Sequence, residues 1–533
     1  MASGNPTDPE DQMKKVHGMN CYHGLRSRID IESEMIEKGD FLIRMVKQRK
    51  SEVVLSVCLG NENKEQRIAH LPVAYNPATK GWELGLLFTK RKRGRNSTVE
   101  TPSSSAGPMG KPGGKVITFS SMEELIRFYR KRQIVSGTLL KTPIKRPKWL
   151  ITTTALKFDL NKDFLGSGNF CHVVRGRLKG RPDKIVAIKM LKDDDDAPTS
   201  PNDVDRDEGR DSMFREAQIM ARCRHKHVIR FYGLACDVPP VMIVMEFCPG
   251  GSLENHLQNE KENVTVGERI LFCFEAARGM RYLHHHGFVH RDLACRNCLI
   301  SSDGVVKISD FGLSRTIDKM EKNILLSQDV PLKNVPLRWM APEALSRKPE
   351  FTTKSDVWSF GVLMYEVFNL GIKPWVDETD NKKIFACIKK NNMPEMPDRT
   401  PSGIKDVVKR CWCDKQTDRP EFREVLKLIA KVQNSEPKYK PPKAAECSTN
   451  RLPGVIREET TEINTEELNA EKSICVFSEQ NRTPPQSRGT SEETASRESR
   501  ESRDSAEDVR GVRHLRRKLN FQRSPVEHKK STH

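Results

Sequence analysis

Between His290 and Gly312 the chain gathers two carboxylates and a carboxamide at fixed separations. His290-Arg291-Asp292-Leu293-Ala294-Cys295-Arg296-Asn297 is followed, thirteen residues after Asn297, by Asp310-Phe311-Gly312. One carboxylate that orients a hydroxyl nucleophile, with a carboxamide and a second carboxylate for a divalent metal, is the equipment phosphoryl transfer requires. Upstream, Leu165-Gly166-Ser167-Gly168-Asn169-Phe170-Cys171-His172-Val173 reads as a strand turning through two glycines, which let backbone amides approach phosphates. Alone, an ordinary glycine-containing hairpin accounts for it better. Val186-Ala187-Ile188-Lys189 is an apolar strand ending in a lysine suited to phosphate oxygens, and Glu216, on a predicted helix, offers the carboxylate to hold it. Ala341-Pro342-Glu343 stands where the segment after Asp310 would close.

This order and spacing resembles that of a protein kinase. The resemblance implies a bilobal fold, ATP with Mg²⁺ (or Mn²⁺) as cofactors, and a role for each residue. Lys189 would contact the α- and β-phosphates and pair with Glu216, Asp292 would be the catalytic carboxylate, and Asn297 and Asp310 would hold the metal. The nine loop residues 165–173, with Ala187, would enclose the nucleotide. Met242-Ile243-Val244-Met245-Glu246-Phe247-Cys248 resembles the inter-lobe hinge, with Met245 as gatekeeper and the backbone of Glu246 and Cys248 bonding adenine. Serine/threonine kinases typically carry lysine two residues after the catalytic aspartate. Here Ala294 stands there and Arg296 sits four residues on, as in tyrosine kinases. Pro336-Leu337-Arg338-Trp339 resembles the shelf that supports a phenolic side chain, and Ser355-Asp356-Val357-Trp358-Ser359-Phe360-Gly361, Cys411-Trp412 and Arg419-Pro420 agree. Tyrosine in protein substrates is the expected acceptor.

Charge bounds the partners. The 533 residues carry a formal charge of +19, but it is unevenly spread: 27 basic against 15 acidic residues in 1–150, 37 against 35 in 151–400, 27 against 22 in 401–533. A near-neutral middle argues against nucleic acid as the main partner, and the basic N-terminal third favours an anionic one. No apolar run approaches the ~18 residues a bilayer span needs. The N-terminus lacks a signal pattern, and Ala2 stands where myristoylation requires glycine. Fourteen cysteines fit a reducing compartment. The expectation is a cytoplasmic protein without a transmembrane segment, compatible with a peripheral membrane or nuclear pool.

The N-terminal third has its own pattern. Tyr22-His23-Gly24 precedes Arg28; Phe41–Val46 and Val53–Leu59 read as strands, with Arg44 on the first; Phe119–Arg130 reads as an amphipathic helix behind a serine cap at Ser120 or Ser121. An arginine at an inward strand position needs a strong anionic partner, although on an isolated strand an exposed arginine would be the simpler reading. With Arg28, Leu55-Ser56-Val57 and His70, the segment resembles an SH2 domain. That resemblance implies phosphotyrosine-containing proteins as partners, gripped by Arg44 with Arg28 and His70. Cys21 replaces the usual tryptophan, Val46 a common hydroxyl residue and Pro72 a frequent lysine, so Arg28, Arg44 and Lys47 carry more of the phosphate.

The expected fold class is α+β multidomain: a flexible arm (1–20), an SH2 domain with a central antiparallel sheet flanked by two helices (21–141), a linker (142–155), a bilobal kinase fold (156–432) and a disordered charged tail (433–533). The basic insertion at about 90–115 reads as a solvated loop. The order most resembles the Fes/Fer group of non-receptor kinases. That group's coiled-coil membrane-binding region has no counterpart here, so its membrane-bending role is not expected.

Two departures favour a different class, a phosphotyrosine-binding adaptor with an impaired or regulatory kinase domain. Cys171 replaces the third loop glycine, and no tyrosine lies between Asp310 and Glu343. In an active kinase the segment would instead order with Arg291 pairing an acidic residue such as Glu321 or Asp329, or with phosphorylated Ser327 supplying the charge, alternatives that mass spectrometry of an active preparation separates. The Cys295/Cys298 pair and the His284–His286 run read as structural, the latter as a surface helix end.

Overall fold

The computed structural model describes residues 9–32, 34–47, 51–60, 67–85, 117–167, 171–180, 183–192, 203–316 and 336–459. The basic insertion, the loop tip 168–170, the segment bearing Glu321, Ser327 and Asp329, and the chain beyond 459 lie outside the described residues.

The N-terminal module is a five-stranded antiparallel sheet of β1 (Phe41–Lys47), β2 (Ser51–Cys58), β3 (Ile68–Asn76), β4 (Gly81–Leu84) and β5 (Thr118–Phe119), in that spatial order. Alternation along a strand sends successive side chains to opposite faces. Phe41, Ile43, Leu55, Val57 and Leu71 join the core beneath α3 (Met122–Tyr129), and Leu42, Cys58 and Ile68 join Ile31 of α2 (Arg28–Glu32) on the other face. Ser121 caps α3, accepting from Glu124 N at 3.2 Å.

The expected loose arm is corrected. Residues 9–17 form α1 (Pro9–His17), with Glu10 and Asp11 in the first turn and Lys14, Lys15 and His17 in the last, the arrangement a helix dipole favours. Val16 is 1% exposed and His17 stacks on Tyr22 at 4.8 Å. One buried face four residues apart (Gln12, Val16) anchors an otherwise polar segment.

The second part begins with a sheet of β6 (Leu150–Ile151), β7 (Leu156–Lys157), β8 (Phe164–Ser167), β9 (Cys171–Leu178), β10 (Lys184–Leu191), β11 (Phe231–Ala235) and β12 (Met242–Glu246), ordered β6-β11-β12-β10-β9-β7 with β8 on β9. α4 (Asp203–Met220) packs beside it. Val186, Ile188 and Met190 bury into an outer cluster with Val174 and Val244, which turns Ala187 and Lys189 to the opposite face. The helical layer holds α5 (Leu253–Glu260), α6 (Val266–His285), α7 (Thr353–Phe368), α8 (Asn381–Lys389), α9 (Ser402–Cys411) and α10 (Phe422–Gln433). A capping box of Thr265 and Glu268 opens α6, whose buried residues surround most of its circumference. Between the layers lie β13 (Phe288–Val289), the hairpin of β14 (Cys298–Ile300) and β15 (Val306–Ile308), and β16 (Arg315–Thr316).

The packed chain does not stop at 432, and the expected disordered tail is corrected over its first part. Residues 434–459 continue through three short 3-10 turns, and along them Cys447, Ser448, Thr449, Val455 and Arg457 are buried. Their apolar residues are too few for a period, and the segment is held largely by polar bonds. No helix among the described residues is long and apolar enough to cross a membrane.

Candidate functional site

Lys189 reaches the cleft because the register of β10 sets it opposite Val173 on β9, and Ala187 opposite Met245 on β12. Its ammonium donates to both carboxylate oxygens of Glu216 at 2.9 Å and to Asp310 Oδ1 at 3.1 Å. Burial alone would lower the lysine's pKa, but Glu216 and Asp310 outweigh it and hold the group cationic. Glu216 is 3% exposed on α4. Asp310 is pulled below the usual carboxylate range, burial being outweighed by Lys189.

The second cluster forms around Asp292. Arg296 bonds Asp292 Oδ1 through Nη2, and Asn297 Nδ2 donates to Asp292 Oδ2 at 2.8 Å and to its carbonyl at 2.7 Å. Burial raises the Asp292 carboxyl above its ordinary value, with Arg296 partly opposing. Arg291 and Asp310 adopt φ of +70° and +59°, strain that persists at functional sites when neighbours over-determine the backbone. Those neighbours are visible: Asp356, 0% exposed, accepts from His290 N at 2.8 Å and Arg291 N at 2.9 Å, and His290 Nε2 bonds Ser309 O at 3.0 Å. The Arg291 guanidinium lies over Phe351 at 4.3 Å. Since Asn297 spends its NH₂ on Asp292, its amide oxygen is left for a cation. That oxygen and the Asp310 carboxylate are hard donors that fit Mg²⁺ or Mn²⁺.

Several expected nucleotide residues fall in or beside this cleft. Leu165, Gly166 and Ser167 lie on β8, Cys171, His172 and Val173 on β9, and Met245 and Glu246 end β12; Gly168, Asn169 and Phe170 lie outside the described residues. The Cys171 side chain is 9% exposed, 3.9 Å from Met213 Sδ, with burial pushing its thiol up to about 11. Glu246 is braced by Lys307 at 3.2 Å. Cys295 and Cys298 are both fully buried. The surface-helix-end reading fails for His284, which bonds Asp356 Oδ2 at 2.8 Å while 12% exposed.

Sequence reasoning missed Glu366. This fully buried carboxylate on α7 accepts from Cys295 N and Trp339 Nε1, both at 3.0 Å, and Trp339 in turn lies 4.2 Å from the Arg296 guanidinium. Burial lifts its pKa from 4.5 to about 7. Between those values the folded state holds one proton more than the unfolded chain, so this group's contribution to stability falls as pH rises from 4.5 through 7. Glu366→Gln should remove about 3 kcal/mol of that pH dependence. Urea unfolding at pH 5 and pH 8 measures it, and an unchanged dependence contradicts the assignment.

The N-terminal module carries a second candidate site. Pairing of β1, β2 and β3 sets Leu42 opposite Ser56 and Ser56 opposite His70, so Arg44, two residues along, shares their face. Arg44 is 7% exposed; Nε donates to Ser56 Oγ at 3.3 Å and Nη1 to Arg26 O at 3.3 Å, and Ser56 Oγ bonds His70 Nδ1 at 2.9 Å. Among the described residues no carboxylate neutralises it. Arg28 pairs with Glu32 on its own helix at 3.2 Å, yet its charge still reaches the pocket. Burial first, then Arg28, lowers the Arg44 pKa to about 10, and burial with Arg44 and Arg28 lowers His70 to about 4. Val46 shares the face and brings no donor. Ser56 was legible only as part of a strand.

The two sites meet through α4. Gln218, two residues from Glu216, donates to Asp30 Oδ1 of α2 at 3.1 Å; Tyr22 Oη donates to Asp237 O and Leu25 N to Cys236 O, each at 2.7 Å.

A family model described as protein tyrosine and serine/threonine kinase matches residues 160–429. Tyrosine-protein kinase Fer of Homo sapiens is 30% identical over 425 residues, 79% of this chain and 44% of Fer. Fer-related kinase 1 of Caenorhabditis elegans is 30% identical over 435 residues, 81% of this chain and 96% of that protein. Ephrin type-A receptor 1 of Homo sapiens is 35% identical over 282 residues, 52% of this chain and 26% of the receptor. The chain thus spans less than half the length of the mammalian Fer proteins it matches.

Proposed function

The chain belongs to the protein tyrosine kinases, in their Fer-related branch, and we propose that it transfers the γ-phosphate of ATP to tyrosine in proteins, brought to them by an SH2 module that binds phosphotyrosine. The observation that carries this reading is the pairing of two held groups: Lys189 between Glu216 and Asp310, and Asp292 between Arg296 and Asn297.

The chemistry follows from those positions. A tyrosine hydroxyl attacks the γ-phosphorus, a P–O bond to ADP breaks, and Asp292 takes the hydroxyl proton. Lys189 bears on the α- and β-phosphate oxygens, and Arg296 keeps Asp292 aimed at the acceptor. Asn297 and Asp310 would hold the divalent ion, which when bound neutralises charge on the phosphates. Leu165, Gly166, Ser167, Cys171, His172, Val173 and Ala187 cover the nucleotide, with Met245, Glu246 and Cys248 along the adenine edge. Trp339, fixed by Glu366, supports the phenolic ring.

In the module, Arg44 with Ser56, His70 and nearby Arg28 takes the phosphotyrosine phosphate, a bidentate task that guanidinium geometry suits. The five-stranded sheet with helices on both faces supports the SH2 reading. The proposed setting is cytoplasmic, in keeping with free thiols at all described cysteines.

The adaptor reading keeps two grounds, Cys171, whose side chain packs against Met213, and the absence of tyrosine between Asp310 and Glu343. Purified protein with Mg-ATP and a Glu/Tyr polymer separates the two readings. Incorporation is expected; its absence under every metal and nucleotide condition would leave the adaptor.

A further inference from the structure

Residues 434–459 run from the end of α10 to the turn between β14 and β15, and the proposed chemistry uses none of them. Their buried contacts are strongly polar. Ser448, 0% exposed, donates from its N–H and its hydroxyl to Glu268 Oε1 at 2.6 and 2.8 Å, and its Oγ lies 2.9 Å from His256 Nε2. Arg457, 3% exposed, pairs with Glu275 through Nη2, while Nη1 donates to Gly304 O at 2.8 Å. The other oxygen of Glu275 accepts from Val306 N, the first residue of β15, at 2.9 Å. Beside it, Ile456 N donates to Ser302 O at 2.8 Å. Two buried charges therefore join this segment to the hairpin.

A second, independent observation comes from the surface that receives it. At Gly267, in the first turn of α6, an added Cβ would lie 2.0 Å from the Lys440 carbonyl oxygen. At Gly304, φ +69°, it would lie 2.9 Å from Arg457 Cβ and 3.0 Å from Thr449 Oγ1. Glycine is unfavourable within a helix, so its presence in α6 is accounted for by this close approach.

The hairpin is well placed to matter. Asn297 immediately precedes β14 and Asp310 follows β15 by two residues. Ser309 N donates to Asn297 O at 2.8 Å, tying the two ends together, and Ile300 O accepts from Gly250 N at 3.1 Å, two residues beyond Cys248.

We propose that residues 434–459 are a strap that positions this hairpin, with Arg457 a positioning residue acting through Glu275 on Asn297 and Asp310. The strap thereby sets affinity for the nucleotide–metal complex. The inference rests on the kinase reading for the roles of Asn297 and Asp310, but the mechanical link does not.

The test uses the full chain. Arg457→Met alone leaves Glu275 buried without its cation, which endangers folding; the double variant Glu275→Gln/Arg457→Met removes both charges. In the folded double variant, KM for Mg-ATP should rise about ten-fold, as when a partner behind a ligand is lost. Its kcat should stay within about two-fold, and amide exchange at Val306 should accelerate. Arg457→Lys, which keeps the pairing with Glu275, should recover most of both. A folded double variant with unchanged KM and unchanged exchange, losing thermal stability only, overturns the proposal. If the parent protein turns over no Mg-ATP, the kinase reading fails, and accelerated or unchanged exchange still supports or overturns the strap.

Discussion

Replacing Asp292 by asparagine is expected to lower kcat for peptide phosphorylation about a thousand-fold, the range lost with a positioned general base. KM for ATP should change little, because Asp292 touches neither Lys189 nor the β8–β9 strands. Its two oxygens are already committed, one to Arg296 and one to Asn297, so the carboxylate is fixed before substrate arrives and reorganises little during reaction. Burial raises its pKa above the aspartate norm, which makes it a better proton acceptor than a solvated aspartate. An amide at this position accepts no proton. It also sets an NH₂ against either Arg296 or Asn297, so the variant's thermal stability is measured alongside. A folded Asp292→Asn protein retaining a tenth or more of parent kcat contradicts the assigned role.

Arg44→Lys is expected to weaken binding of a phosphotyrosine peptide by about 2–4 kcal/mol, the usual loss when a buried, hydrogen-bonded charge pair is broken. In the free module Arg44 is a buried cation with only two long hydrogen bonds and no carboxylate partner among the described residues. Such a group gains most from an arriving dianion. Lysine keeps the charge but cannot present two parallel N–H groups. The pH dependence has a definite sign. Arg44, at about 10, stays charged and His70, at about 4, stays neutral between pH 5 and pH 8. The phosphate loses its second proton near pH 6, so affinity should rise from pH 5 to pH 7. Titration calorimetry at both values decides: affinity falling over that interval would assign the binding charge to a protonated His70 instead.

Much of the site could be read from the chain because the residues that carry it lie in short local runs. Lys189 stands near the end of an apolar strand, and Asp292, Arg296 and Asn297 share one turn-rich loop. The strands at Phe41 and Val53 and the cap at Ser121 were likewise written in local alternation and capping chemistry. What stayed hidden depends on contacts far apart in sequence. Glu366 lies 71 residues from Cys295 and looks like an ordinary polar position on its own helix. Asp356, 66 residues from His290, is visible as part of the Ser355–Gly361 run but not as the acceptor that holds His290 and Arg291. Ser56 reads as a strand residue until pairing sets it beside Arg44. α1 shows only one strongly apolar buried residue, Val16, and the strap is too polar for any period to reveal it. Its anchor pair, Arg457 and Glu275, spans 182 residues.

The central claim is phosphoryl transfer to tyrosine, and the most direct measurement offers the purified full chain, with Mg-ATP, two peptides identical except for tyrosine or serine at one position. Arg296 beside Asp292 and the Trp339 shelf predict phosphate on the tyrosine peptide alone. Equal incorporation into the serine peptide, or incorporation into neither, would contradict it.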